Sequence, residues 1–210
     1  MGRYRCAIVE AFVVFWFRLL GRFVPLILFP FSSVAAPQEL PVSADRCAIY
    51  FALTEDVGVG CAPPSVRDLG VARRLPPTGF DLGAAPLSST PQEQGYFIRF
   101  PFNSHDLTEE YRAHLARLGE VLKSDMLIDS CIKLVGHADS VGSAQTNLQL
   151  SQARARKVAT TLVVASNIAT ERIVTEARGE LALLSGVPGP HPLNRRVEIL
   201  ARARDGTICQ

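Results

Sequence analysis

The sequence contains no Cys-x-x-Cys pair, which argues against a zinc ribbon or a thioredoxin-like centre. Its four histidines, His105, His114, His137 and His191, form neither a His-Glu-x-x-His run nor a close His-x-His pair. A peptidase metal site would have to gather His137 and Asp139 with His105 or His191 from distant stretches, so no metal, no cofactor and no catalytic residue is expected. Paired carboxylates that would mark a glycosidase cannot be picked out. Also missing are a Leu-x-x-Cys box for lipid attachment and any apolar run of the roughly 20 residues that span a bilayer. Nor is there a basic excess to hold nucleic acid. Four arginines against Glu10 give residues 1–36 a charge of +3, which leaves the rest of a chain of net charge +2 at −1.

What residues 1–36 do contain is a basic start, two apolar runs (11–17 and 23–31) and a small-residue end, Ser33-Val34-Ala35. That order describes a secretory signal cut before Ala36. The competing reading is an uncleaved membrane anchor joining the two runs. It would bury Arg18 and Arg22 at about 2.5–3.5 kcal/mol each, and Pro25 and Pro30 weaken such a helix further. Removing the leader takes Cys6 with it and leaves four cysteines, an even number that in an exported protein favours disulfides. Cys47 and Cys61 flank a loop-sized stretch and are the expected pair. Cys131 and Cys209 either pair, if the strand ends are neighbours, or stand as a buried cysteine and a tail thiol.

Residues 37–94 are rich in proline, with glycine and serine, and read as a linker of extended and turn conformations. Within it only residues 46–53 have the pattern of a strand or short helix. Residues 95–204 alternate strand and helix patterns, and residues 205–210 form a tail. Residues 95–102 alternate as a strand. Asp106 and Glu109 have capping-box spacing before a helix with Leu107, Tyr111, Leu115, Leu118 and Leu122 on one face. Strands are expected again at 129–135, 173–178 and 196–201, with a helix from about Asn147 to Ser166. The series β-α-β-α-β implies an α/β (α+β) two-layer sandwich, helices on one face of a mixed sheet.

The centre of the chain is the stretch 131–165: a β-branched run ended by Gly136, a loop of turn formers (Asp139, Ser140, Gly142, Ser143), then the helix. A strand entering a helix through a short loop can aim Asp139 and Arg154 at one place. Here the sequence resembles the OmpA-like peptidoglycan-binding family, whose pattern is roughly G-H-T-D-x-x-G followed by N-x-x-L-S-x-x-R-A. Gly136, His137, Asp139, Gly142, Asn147, Leu150, Ser151, Arg154 and Ala155 fall in place. FPFNSHDL (100–107), ARGE (177–180) and NRRVEI (194–199) resemble the family's opening strand, its G-x-G-E stretch and its closing strand. Ala138 departs from the usual Thr, Pro101 from a frequent Asp, and the Pro/Gly-rich segment 180–194 is short.

The resemblance implies non-covalent binding of peptidoglycan stem peptides at meso-diaminopimelate. It places the protein in the periplasm or outer-membrane-associated envelope of a Gram-negative bacterium, anchored to the wall. Other envelope proteins are possible partners, as in a bridging or secretion complex, and membrane association would run through the N-terminal segment. The ligand's free end is a zwitterion. Asp139 is expected to accept from its ammonium and Arg154 to clamp its carboxylate with a planar fork. Asn103, Asn147 and Arg195 complete the implied set, with Asn147 also readable as a loop brace and His137 as a packed imidazole. Against this, an Asp in a Gly/Ser loop is commonly a turn former, and a helix Arg is commonly solvated.

If the leader is a signal cut before Ala36, Edman sequencing of protein purified from the envelope reads from Ala36. A sequence starting at Met1 would establish the anchor instead.

Overall fold

The central strands turn apolar residues toward one side, and both long helices carry a matching apolar stripe, so the chain closes as helices over a sheet. The computed structural model describes residues 37–62, 93–204 and 209. The leader 1–36, residues 63–92 of the Pro-rich stretch, and residues 205–208 and 210 lie outside the described residues. In chain order the elements are β1 (Gln38–Glu39), α1 (Arg46–Thr54), β2 (Gln94–Arg99), α2 (Glu109–Leu122), β3 (Cys131–His137), α3 (Ala144–Ser166), β4 (Ile173–Gly179) and β5 (Arg196–Arg202). The sheet order is β1-β2-β5-β3-β4. β5 runs antiparallel to both β2 and β3, while β1 with β2 and β3 with β4 are parallel pairs. The mixed α/β sandwich expected from the sequence is the observed fold.

One core joins the layers. Tyr96, Ile98, Ile132, Leu134, Val197 and Ile199 from the sheet meet Leu115, Leu118 and Leu122 of α2 and Ala155, Val158 and Leu162 of α3. Fully burying such a side chain contributes about 1.5–3 kcal/mol. β3 and α3 touch backbone to backbone at Gly136, where an added Cβ would stand 2.0 Å from the carbonyl oxygen of Ser151. Glycine is required there by close approach.

Three expectations need correction. Residues 37–62 are not linker: β1 pairs with β2, and α1 buries Ile49, Tyr50 and Leu53 in the common core. Arg117 of α2 donates to the carbonyls of Val42 and Ala44, and Glu39 pairs with Arg99. Pro41 opens the turn between β1 and α1, its carbonyl accepting from the Ala44 N–H at 2.9 Å. The cap of α2 is Thr108, which accepts from the Tyr111 N–H, because Ser104 Oγ takes the Asp106 N–H at 2.9 Å and keeps the chain extended past Asp106. Helix α3 begins three residues earlier than Asn147, capped by Ser143.

Both cysteine pairs are disulfides, Cys47–Cys61 with Cα atoms 5.6 Å apart and Cys131–Cys209 at 5.5 Å. In the chain-entropy view, loops of these sizes are worth roughly 3 and 4–5 kcal/mol against the unfolded chain. Among the described residues no helix is long and apolar enough to cross a membrane.

Under β2, the buried Tyr96 hydroxyl and His114 Nε2 lie 2.9 Å apart, with the rings edge to face. Burial, helped by nearby Arg117, lowers the imidazole from its ordinary value to about 4. The unfolded chain then binds more protons than the folded one below its ordinary pKa of about 6.5. Stability is therefore full above that value and falls as pH drops toward 4, by up to roughly 3 kcal/mol. Urea titrations across this window should show the slope in the wild type and a flatter one in His114→Gln, which keeps an acceptor but cannot charge. Equal slopes would acquit His114.

Candidate functional site

The site is built where three loops meet at the C-terminal ends of β2 and β3 and the start of β5. Four i, i+3, i+4, i+7 positions of α3 form its inward stripe: Ser151, Arg154, Ala155 and Val158, all buried. Arg154 therefore points into the protein. Its Nε donates to Ser104 O (2.9 Å), its Nη1 to His137 O (2.9 Å) and its Nη2 to Pro101 O (3.1 Å). The guanidinium also stands 5.5 Å over the Phe100 ring.

The reading of Arg154 as an ordinary solvated helix arginine does not hold. Its relative exposure is 0 %, and three of its five N–H groups are committed to backbone. Burial lowers its pKa to about 10, Asp139 opposes that shift, and Arg195 adds to it. The side chain remains charged at neutral pH.

Asp139 is likewise buried, at 4 % exposure. Its Oδ1 accepts from the Val141 N–H at 3.2 Å and its Oδ2 from Arg195 Nη1 at 3.0 Å. Arg195 is the more accessible partner, with 15 % of its side chain exposed against 5 % for Asp139. Its Nε also donates to Phe100 O (3.3 Å), and its guanidinium lies 5.8 Å from the ring of Phe102, which is 61 % exposed. An acid and a planar base thus stand side by side, the base reaching solvent.

The other expected residues divide. Asn147 is buried, and its Nδ2 donates to Asp139 O (3.1 Å) and to Glu180, so it braces the loop. Asn103 is exposed on the neighbouring turn in a left-handed backbone (φ 48°). His137 is packed on the far face of the sheet, Nε2 3.3 Å from Glu198 Oε1 but not aligned for a hydrogen bond. Arg196 turns to the same face and holds Glu198 at 2.7 Å, which braces the strand. Burial alone would raise the Glu198 pKa; His137 and Arg196 outweigh it and hold the carboxyl below its ordinary value.

One contributor was missed by sequence reading. Asn194, fully buried, accepts from the Leu184 N–H (2.9 Å) and donates to Pro188 O and Gly189 O (3.0 Å each), folding the Pro/Gly-rich loop against the site. Its position before two arginines marked it only as part of a strand motif. Among the described residues no group of three or more His, Cys, Asp or Glu could hold a metal ion.

Residues 99–186 match the model of the OmpA family. No curated protein matches the chain. Among solved structures it is similar to the OmpA-like domain of FopA1 from Francisella tularensis, with 21% identity over 55% of this chain and 83% of that one and a TM-score of 0.46. The peptidoglycan-associated lipoprotein from Burkholderia pseudomallei gives 23% identity over 50% and 88%, with a TM-score of 0.43. The cell wall anchor of the T6SS from Pseudomonas aeruginosa gives 28% over 51% and 80%, with a TM-score of 0.41.

Arg154→Ala should destabilise the fold by about 3–5 kcal/mol, because it orphans carbonyls from two loops and leaves a buried acid less compensated. Arg154→Lys should recover only part of this, since one ammonium cannot reach three separate acceptors. Chemical denaturation measures both. A wild-type midpoint for Arg154→Ala would mean that water replaces the guanidinium at no cost.

Proposed function

We propose that the protein, whose residues 99–186 match the model of the OmpA family, binds peptidoglycan non-covalently through the meso-diaminopimelate of its stem peptides and so anchors itself to the cell wall. The observation that carries this reading is the Asp139–Arg195 pair, 3.0 Å apart with Arg195 on the solvent side. A zwitterion has an ammonium and a carboxylate on one carbon. It fits by exchange: its ammonium takes Asp139 Oδ2 while its carboxylate takes the fork of Arg195, so each buried charge leaves one partner for another. Arg154 acts as a positioning residue. It holds Pro101, Ser104 and His137 in place and supplies a fixed positive charge behind Asp139, with two N–H groups still uncommitted. Asn147 keeps the Asp139 loop in register, and Asn103 offers a polar side chain at the rim.

An ion pair must be opened for each ligand bound, so affinity per site is modest, and repeated stems along the polymer supply retention. The two disulfides fit an oxidising compartment, here the periplasm of a Gram-negative envelope. The role is binding rather than catalysis: sacculi incubated with the protein should release no muropeptides.

The test is sedimentation with diaminopimelate-type sacculi. Asp139→Asn preserves shape and an acceptor but removes the charge that an ammonium needs. Arg195→Gln removes the carboxylate fork. Hydrogen bonds to charged groups are worth about 1.5–3 kcal/mol, so each variant should weaken binding roughly tenfold to a hundredfold. Circular dichroism and melting curves check that both stay folded. Folded Asp139→Asn that sediments like the wild type would sink the site.

A further inference from the structure

The opposite end of the domain carries an apolar feature that the wall-binding reading does not use. Disulfide Cys47–Cys61 ties the loop leaving α1 back to the first turn of that helix. Glu55 ends the helix in a left-handed conformation (φ 58°), and the Cys61 N–H donates to Gly58 O (3.0 Å), closing a turn with Val59 and Gly60 at its tip. The backbone at Gly58 lies against Tyr50: an added Cβ would stand 3.2 Å from the ring and 3.5 Å from Cys61 Sγ. A loop pinned at both ends and pressed onto an aromatic ring cannot turn its valines inward.

Val59 is accordingly wholly exposed (108 %), Val57 is 48 % exposed, and Met126 across the same cleft is 69 % exposed. The cleft has a volume of about 680 Å³. Its charged lining is unbalanced: Lys123 holds Glu120 at 3.2 Å, which leaves Asp56 and Asp125 against the one lining base, Arg46. Apolar side chains held rigidly in water inside a polar rim mark a surface that is covered in use. Rigidity lowers the entropy lost on binding.

We propose that this end is a docking surface for a protein segment presenting an aromatic or branched aliphatic side chain flanked by lysine or arginine. The apolar anchor would sit between Val57, Val59 and Met126, and the flanking cations would meet Asp56 and Asp125. Met126 lies in the turn before β3 and Asp139 just beyond that strand's end. Seven residues at about 3.3 Å each separate the two places by roughly 20 Å. One molecule can therefore hold the wall at one end and a partner at the other.

A random peptide library displayed on phage and panned against the full, disulfide-bonded chain tests this. The selected peptides should pair an aromatic or branched apolar residue with nearby Lys or Arg, and a synthetic copy should bind more weakly as salt rises. Val59→Asp and Met126→Asp, both at exposed positions, should each cost that copy at least about tenfold in affinity. Asp139→Asn should leave its binding unchanged, which separates this surface from the wall-binding site. The proposal fails if no peptide is enriched, or if the selected peptides are acidic or ignore both substitutions. It also fails if a synthetic peptide of residues 63–75 displaces them, which would make this chain's own segment the occupant. Self-association that Val59→Asp abolishes would assign the surface to a second copy and overturn it as well.

Discussion

A single buried guanidinium holds the candidate-site end of this domain together. Arg154 reaches from α3 into the space between the β2–α2 turn and the end of β3, and fixes a carbonyl on each side. Burying a lone cation costs several kcal/mol. Here the cost is offset by three charge-assisted hydrogen bonds, the face of Phe100 and the field of Asp139. Once Arg154 is seated, the turn 101–104 has little freedom, and the end of β3 delivers Asp139 to one position. Arg172 does similar work at the other end of the sheet, where it donates to the carbonyls of Leu122, Leu127 and Ser130. Two arginines thus take the place of regular structure in closing the ends of the sandwich.

This arrangement gives the two site charges different characters. Arg154 is structural in its contacts and electrostatic in its influence. Arg195 contacts Asp139 directly and has a route to solvent. The free domain satisfies its own acid, so a ligand must offer both an ammonium and a carboxylate to displace that pair without leaving a buried charge alone. A simple amine or a simple carboxylate would compensate only half of the exchange. On the proposed reading, specificity for a zwitterionic end would follow from that requirement.

The N-terminal extension changes what counts as the folding unit. Residues 37–62 lie outside the family match at 99–186 yet share its core through Leu40, Ile49 and Leu53. Each disulfide secures a piece that the sheet alone would hold weakly: Cys47–Cys61 the loop after α1, and Cys131–Cys209 the C-terminal end against β3. The stapled loop holds Val57 and Val59 outward, on the surface proposed for a partner.

The periodicity of the chain determined the layers by itself. Alternating apolar residues in the strands and the stripe Leu115, Leu118, Leu122 state which faces are inside, because burial depends on local spacing. The loop of turn formers likewise located Asp139, since those residues act through their own backbone. Arg154 also obeyed the helical period, four residues before Val158 and three after Ser151, and its burial was legible there. Its charge argued for solvent, and only tertiary structure supplied the carbonyls that make a buried arginine tolerable. The same holds for Arg195 as the partner of Asp139, for Asn194 as the anchor of the 180–194 loop, and for α1 as part of the core. Arg195 and α1 depend on groups distant in sequence, such as the 56 positions separating Arg195 from Asp139, while Asn194 depends on how its own loop folds back on it. Hydrogen bonds and ion pairs act over a few ångströms in space, so pairings of this kind are decided by how the chain folds back and leave no periodic mark along it.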